Sequence, residues 1–152
     1  MLFARTSTRV HERKAVRQIK QRKQPLGLAG KRVLLVEDEY YIADDLSRSL
    51  AEAGAEVIGP CATIAKAEEA ISRQAFDCAI LDLNLHGQSG VPVADRLHAL
   101  GIPFAIATGY GNGAVPAHHE AVPRCEKPFD AAEVIELVSS LLPGSSAVEA
   151  QP

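Results

Sequence analysis

The chain has no tryptophan, four phenylalanines and three tyrosines in 152 residues, so its core must be built from alanine, valine, leucine and isoleucine. No apolar run approaches the ~20 residues a membrane-spanning helix needs. The start also lacks the apolar segment of a secretory signal. The three cysteines, Cys61, Cys78 and Cys125, are odd in number and widely spaced. They form neither a zinc nor a redox motif, which leaves reduced, mostly buried thiols in a cytoplasmic protein. No internal repeat occurs, and the stretch after Leu142 is too short for a second domain.

Charge is unevenly spread. Ten of the sixteen Lys and Arg fall in residues 1–32 beside a single acid, Glu12, leaving six bases against eighteen acids in the remainder. An acidic domain therefore follows a basic leader. Residues 1–30 read as a solvated, disordered arm: Val10, Val16 and Ile19 share one side of a helical wheel, but Pro25 and Gly27 interrupt it. Beyond Phe3 the arm has no aromatic residue on which a base would stack, so nucleic acid is not an expected partner.

What the chain does contain is alternation. Arg32-Val33-Leu34-Leu35-Val36 is an apolar strand that runs into Glu37-Asp38-Glu39. A helix is expected from Glu39 to Ala53 with Gly54 as its stop, and Tyr40 and Tyr41 at its start are expected to be one packed, one exposed. Glu56–Gly59 reads as a second strand and Thr63–Arg73 as a second helix with Thr63 at its N-cap. A third strand over Asp77–Leu81, a third helix over Val91–Leu100 and a fourth strand over Ile102–Ala107 follow. A weak fourth helix is expected over Ala114–Glu120, interrupted by Pro116, then a short strand Arg124–Glu126 and a helix Asp130–Leu142. Strands alternating with helices of this length imply an α/β fold with a doubly wound, five-stranded parallel sheet. The folded domain is expected over 31–142, with a flexible tail over 143–152 beginning at Pro143-Gly144-Ser145-Ser146.

Taken singly, the polar residues at the strand ends have ordinary explanations. Glu37, Asp38 and Glu39 suit a helix start, Asp82 a turn before Asn84 and Gly87, and Lys127-Pro128 a surface lysine before a helix. Gly87, Gly90, Gly111 and Gly113 read as loop glycines, and His118-His119 as a solvated pair without a third metal ligand. Jointly the strand-end residues mean more. Asp38, Asp82, Thr108 and Lys127 fall at the carboxyl ends of strands one, three, four and five, the edge where open α/β sheets bind ligands. Adjacent carboxylates repel unless a divalent cation joins them. Carboxylates, a hydroxyl and an ammonium together are equipped to move a phosphoryl group onto an aspartate.

From Leu28 to Leu142, with acidic pair, acceptor, hydroxyl and Lys-Pro in order, the chain resembles the receiver domains of bacterial two-component response regulators. The resemblance implies a flavodoxin-like (βα)5 receiver fold and a phosphoacceptor at Asp82, supplied by a sensor histidine kinase or a histidine phosphotransfer protein. It further implies Mg²⁺ held by Asp38 directly, by Glu37 through water, by Asp82 and by the backbone carbonyl of Asn84. Thr108 would bond a phosphoryl oxygen, Lys127 would pair with the acceptor and then the phosphate, and the Lys127-Pro128 bond would be cis. Such a protein is not an enzyme in the turnover sense, though it assists its own phosphorylation and dephosphorylation.

Within that family, Pro103-Phe104-Ala105-Ile106-Ala107-Thr108-Gly109-Tyr110-Gly111 resembles the Phe-Ala-Thr-Gly-x-Tyr signature of the FAT GUY receivers, mostly stand-alone regulators of the bacterial general stress response. Two departures stand out. Ile106 replaces the Phe before Ala107, and Tyr110 directly follows Gly109. Three residues before Lys127, where receivers carry an aromatic switch residue, stands Arg124. The conformational response is therefore expected in the loop 109–113 with Tyr110. The output is expected to be contact with a downstream protein partner.

Three alternatives compete. A phosphatase of the haloacid dehalogenase type also uses an aspartyl nucleophile, Mg²⁺, Thr and Lys, but needs a second acid two residues after it. Here that residue is the amide Asn84. A receiver-fold binding module without phosphorylation rests on the missing aromatic. A DNA-binding regulator would rest on the basic arm.

Overall fold

The computed structural model describes residues 27–73, 75–109 and 115–143. The arm over 1–26, the segment 110–114 with Tyr110, and the tail over 144–152 lie outside the described residues.

Among the described residues the main sheet and its α-helices run in the order β1 (Arg32–Val36), α1 (Tyr40–Glu52), β2 (Glu56–Cys61), α2 (Ile64–Arg73), β3 (Cys78–Asp82), α3 (Val91–Ala99), β4 (Phe104–Thr108), β5 (Arg124–Glu126) and α4 (Ala131–Leu141). The strands form one sheet in the order β2-β1-β3-β4-β5, every neighbouring pair parallel. This is the expected doubly wound sheet. Side chains alternate across it, as a two-residue period requires. Val33 and Leu35 point into a cluster with Leu46, Leu50, Val134 and Val138 under α1 and α4. Leu34 and Val36 point into the opposite cluster with Ala67, Ile71, Val93 and Leu97 under α2 and α3. Each fully buried leucine contributes about 2 kcal/mol by leaving water, so a one-residue slip of β1 would exchange the two sets and is strongly opposed.

Local chemistry sets the boundaries. The Lys66 N–H donates to Thr63 Oγ1 at 3.2 Å, capping α2 as expected. The Ala132 N–H donates to Asp130 Oδ1 at 3.1 Å and starts α4. Gly54, at φ +97°, ends the turn after α1 in a conformation that side chains disfavour. Leu28 is fully buried in the core beneath α1, and its carbonyl accepts the Lys31 N–H at 3.0 Å. The packed unit thus reaches back to Leu28.

Two expectations need correction, and one element has no counterpart among them. In place of a fourth helix, the described residues hold a single 3-10 turn, Ala117–His119, because Pro116 before it is extended (φ −67°, ψ 155°). Both Tyr40 and Tyr41 are exposed, and their rings meet edge to face at 5.5 Å. The buried stripe of α1 is Ala43, Leu46 and Leu50, which turns Tyr41 to the far side and Tyr40 to the flank. Finally, Asn84–Leu85 and Gln88–Ser89 pair as a small antiparallel hairpin through His86 (φ 51°) and Gly87 (φ 78°). Strands of two residues have no periodicity to read.

Candidate functional site

A parallel sheet brings every strand's carboxyl end to one edge. Asp82 and Thr108 are the last residues of β3 and β4, while Glu37 and Lys127 directly follow β1 and β5. Ladder register fixes their depth: Asp82 lies opposite Ala107, and Thr108 opposite Glu126. Glu37, Asp82 and Thr108 are buried, though polar.

The Asp82 carboxylate is held at both oxygens. The Asn84 N–H donates to Oδ1 at 2.8 Å, and Lys127 Nζ donates to Oδ2 at 2.8 Å. The same ammonium lies 2.9 Å from Glu37 Oε2 and 3.1 Å from Oε1. Asp38 takes no part in that bridge; its Oδ2 accepts the His86 N–H at 2.8 Å, with His86 Nδ1 at 3.5 Å. The hairpin is thereby tied to the end of β1. Sequence reasoning missed His86, because nothing in its neighbourhood announces a contact with a residue 48 positions away. One oxygen each of Glu37, Asp38 and Asp82 falls within 4.8 Å of the others. An all-oxygen, all-anionic set of this kind suits a hard divalent cation such as Mg²⁺.

Electrostatics follow from burial. Glu37 is raised from its usual 4.5 to about 7, because burial penalises its anion more than Lys127 and the Glu39 N–H favour it. Burial would lower Lys127, but hydrogen bonds to Asp82 and Glu37 outweigh that and raise it. Burial also pushes the thiols of Cys78 and Cys125 up to about 12 and about 11, so these cysteines are inert structural groups.

Two further features shape the site. The Lys127-Pro128 bond is cis, as expected, and the Lys127 N–H donates to the Thr108 carbonyl at 2.7 Å. Gly90 packs so closely behind the acceptor that an added Cβ would stand 2.7 Å from the Asp82 carbonyl oxygen. It is more than a loop glycine.

Thr108 does not reach the Asp82 carboxylate in this conformation. Its hydroxyl donates to the Cys125 carbonyl at 3.4 Å, turned toward β5. Arg124, at the aromatic position, donates to the Glu120 carbonyl at 2.8 Å and so holds the 3-10 turn to the start of β5. His118-His119 is not a solvated pair: His119 is only 1 % exposed, and both rings meet Asp95, the third group that linear spacing hid.

The response regulator receiver domain family matches residues 33–139. The chain is 31% identical over 134 residues to the sensory transduction protein LytR of Streptococcus agalactiae, covering 80% of this chain and 54% of that protein. It spans about half the length of the curated relatives it matches. Among solved structures, SdrG from Sphingomonas melonis Fr1 superposes with a TM-score of 0.66 at 35% identity, covering 73% of this chain and 95% of SdrG. The BeF3-activated conformation of SdrG, from Pseudomonas melonis Fr1, gives a TM-score of 0.64 at 36% identity, covering 75% and 98%. The PhyR stress response regulator gives 0.63 at 26% identity, covering 87% of this chain and 52% of PhyR.

Proposed function

Because the chain belongs to the receiver domain family of response regulators, whose members take phosphoryl groups from histidine kinases or phosphotransfer proteins, we propose that Asp82 is its phosphoacceptor and protein–protein contact its output. The observation that carries this reading is the Lys127 ammonium 2.8 Å from the buried Asp82 carboxylate, beside two further acids on the same sheet edge.

In this reading an Asp82 oxygen attacks the phosphorus of a partner's phosphohistidine. An O–P bond forms, the P–N bond breaks, and the partner's imidazole leaves. The Asn84 N–H fixes the orientation of the nucleophile. Lys127 stays close and neutralises charge that moves from the carboxylate to the phosphoryl oxygens. Glu37, Asp38, Asp82 and the Asn84 carbonyl would hold Mg²⁺. When bound, the ion neutralises phosphoryl charge and orients the incoming group. Thr108 must abandon the Cys125 carbonyl to reach a phosphoryl oxygen, and its long 3.4 Å bond is a weak restraint on doing so. That exchange of partners is the two-state element that phosphorylation biases.

The subfamily reading rests on Thr108-Gly109-Tyr110 and on likeness to SdrG and to PhyR, a protein named as a stress response regulator. We therefore place the protein among stand-alone receivers of the general stress response, acting in the cytoplasm. The loop 109–113 with Tyr110 carries the conformational signal in place of an aromatic at Arg124. Unchanged amide dynamics of 109–113 upon beryllofluoride addition would remove that role for the loop. A deletion strain as heat- and peroxide-resistant as its parent would remove the stress assignment.

The deciding experiment is phosphorylation by acetyl phosphate with Mg²⁺, followed by intact-mass spectrometry of wild type and Asp82→Asn. A single phosphoryl adduct confined to wild type is expected. An adduct that persists in the variant sinks the assignment, as does the absence of both adduct and beryllofluoride binding in wild type.

A further inference from the structure

Away from the acceptor edge, α3 and the turn before β5 bring three metal-binding side chains to one point. His118 Nε2 and His119 Nε2 each lie 2.7 Å from the same atom, Asp95 Oδ1. The imidazole centroids are 4.1 Å apart, and one ligand atom from each of the three residues falls within 4.8 Å of the others. Adjacent residues on a regular helix point about 100° apart. The tight turn after Pro116 nevertheless sends both rings toward α3.

His119 has an unusual setting. It is 1 % exposed, and its ring stands edge to face with Phe104 at 5.8 Å and with His98 at 5.9 Å. Its Nδ1 is buried without a hydrogen-bond partner among the described residues. A buried ring nitrogen without a partner costs stability that an apolar residue here would not. All of this side chain's polar contact is therefore made at Nε2, toward Asp95. His118 and then His119 hold the Asp95 carboxyl below the usual carboxylate range, which leaves it an anion at neutral pH.

We propose that Asp95, His118 and His119 form a transition-metal site, selective for Zn²⁺ over Mg²⁺. Two imidazole nitrogens and one carboxylate oxygen are a common zinc set with one position open to water. Nitrogen donors disfavour Mg²⁺ and Ca²⁺, which prefer all-oxygen sites. Metal binding would put the cation where the imidazole N–H groups now face Asp95, and each neutral ring would then carry its one proton on Nδ1 instead. The site is independent of the acceptor. His119 packs on Phe104, the first residue of β4, whereas Thr108 is its last, and four steps of ~3.3 Å separate them. Its effect is mechanical: the ion fastens helix α3 to the turn that Arg124 also holds.

The test uses the full chain, free of affinity tag and stripped of metal, with excess Mg²⁺ to occupy the carboxylate cluster. Zn²⁺ is titrated calorimetrically, and Co²⁺ is added as a spectroscopic stand-in. One tight Zn²⁺ per chain, a higher thermal midpoint with Zn²⁺ and the intense visible bands of four-coordinate Co²⁺ are expected. His118→Ala and Asp95→Asn should each weaken Zn²⁺ binding about 100-fold or more. Both side chains are more than half exposed, so neither change threatens the fold. His11→Ala should bind as wild type does. No Zn²⁺ binding, or equal affinity in His118→Ala and Asp95→Asn, overturns the proposal.

Discussion

Lys127 Nζ stands 2.8 Å from Asp82 Oδ2 across 45 residues of chain, and the same ammonium is the counter-charge for Glu37. Two buried carboxylates thus depend on one cation, and several consequences can be measured.

Lys127→Met should destabilise the metal-free protein by about 3 kcal/mol at pH 8, because it leaves two buried acids facing each other. At pH 5 the loss should be smaller, since Glu37 then carries a proton. Urea midpoints at the two pH values decide the matter; equal losses would show that Lys127 acts by packing rather than charge.

Glu37 also sets a pH dependence. Its folded value of about 7 lies above its usual 4.5, so between these values the folded, metal-free protein keeps a proton that the unfolded chain has lost. Its contribution to stability therefore falls as pH rises through that window. If Mg²⁺ binds here, it must expel the proton, so affinity should rise up to about tenfold per pH unit below 7 and level off above it. Calorimetric titrations of wild type and Glu37→Gln test this; the variant should lose most of the slope.

Gly90→Ala places a methyl 2.7 Å from the Asp82 carbonyl oxygen, a backbone atom that cannot step aside freely. The expected cost is about 1–3 kcal/mol, with slower acceptance of phosphoryl from acetyl phosphate. A variant of wild-type stability and rate would mean that the loop relaxes without moving the acceptor.

Leu28→Ala should cost about 2–5 kcal/mol, the range for a leucine lost from a packed core. A chain beginning at Gly27 should match the full chain in thermal midpoint, whereas one beginning at Lys31 should fall well below it. Equal midpoints would show that Leu28 merely covers the core.

How much of this was legible beforehand depends on the range of the signal. Acid-tipped β1 and β3, the stop at Gly54 and the cap at Thr63 are local, and each was read correctly from a few neighbouring residues. That Asp38, Asp82, Thr108 and Lys127 share one edge was also legible, since parallel strands must end on one edge. The hairpin around His86 escaped because two-residue strands carry no period. The fourth helix was misjudged because Pro116 breaks the expected span and Pro123 leaves room for only a turn after it.

The amino-acid sequence by itself determined the alternation, the sheet and the identity of the strand-end residues, because periodicity and strand polarity are properties of the chain. Only tertiary structure decided which atoms meet: that Thr108 bonds Cys125 instead of Asp82, that Asp38 holds His86, and that Asp95 joins His118 and His119. Those pairings depend on strand register and on how turns dock against helices. Both are set by core packing among residues far apart in the chain, and no local pattern encodes them.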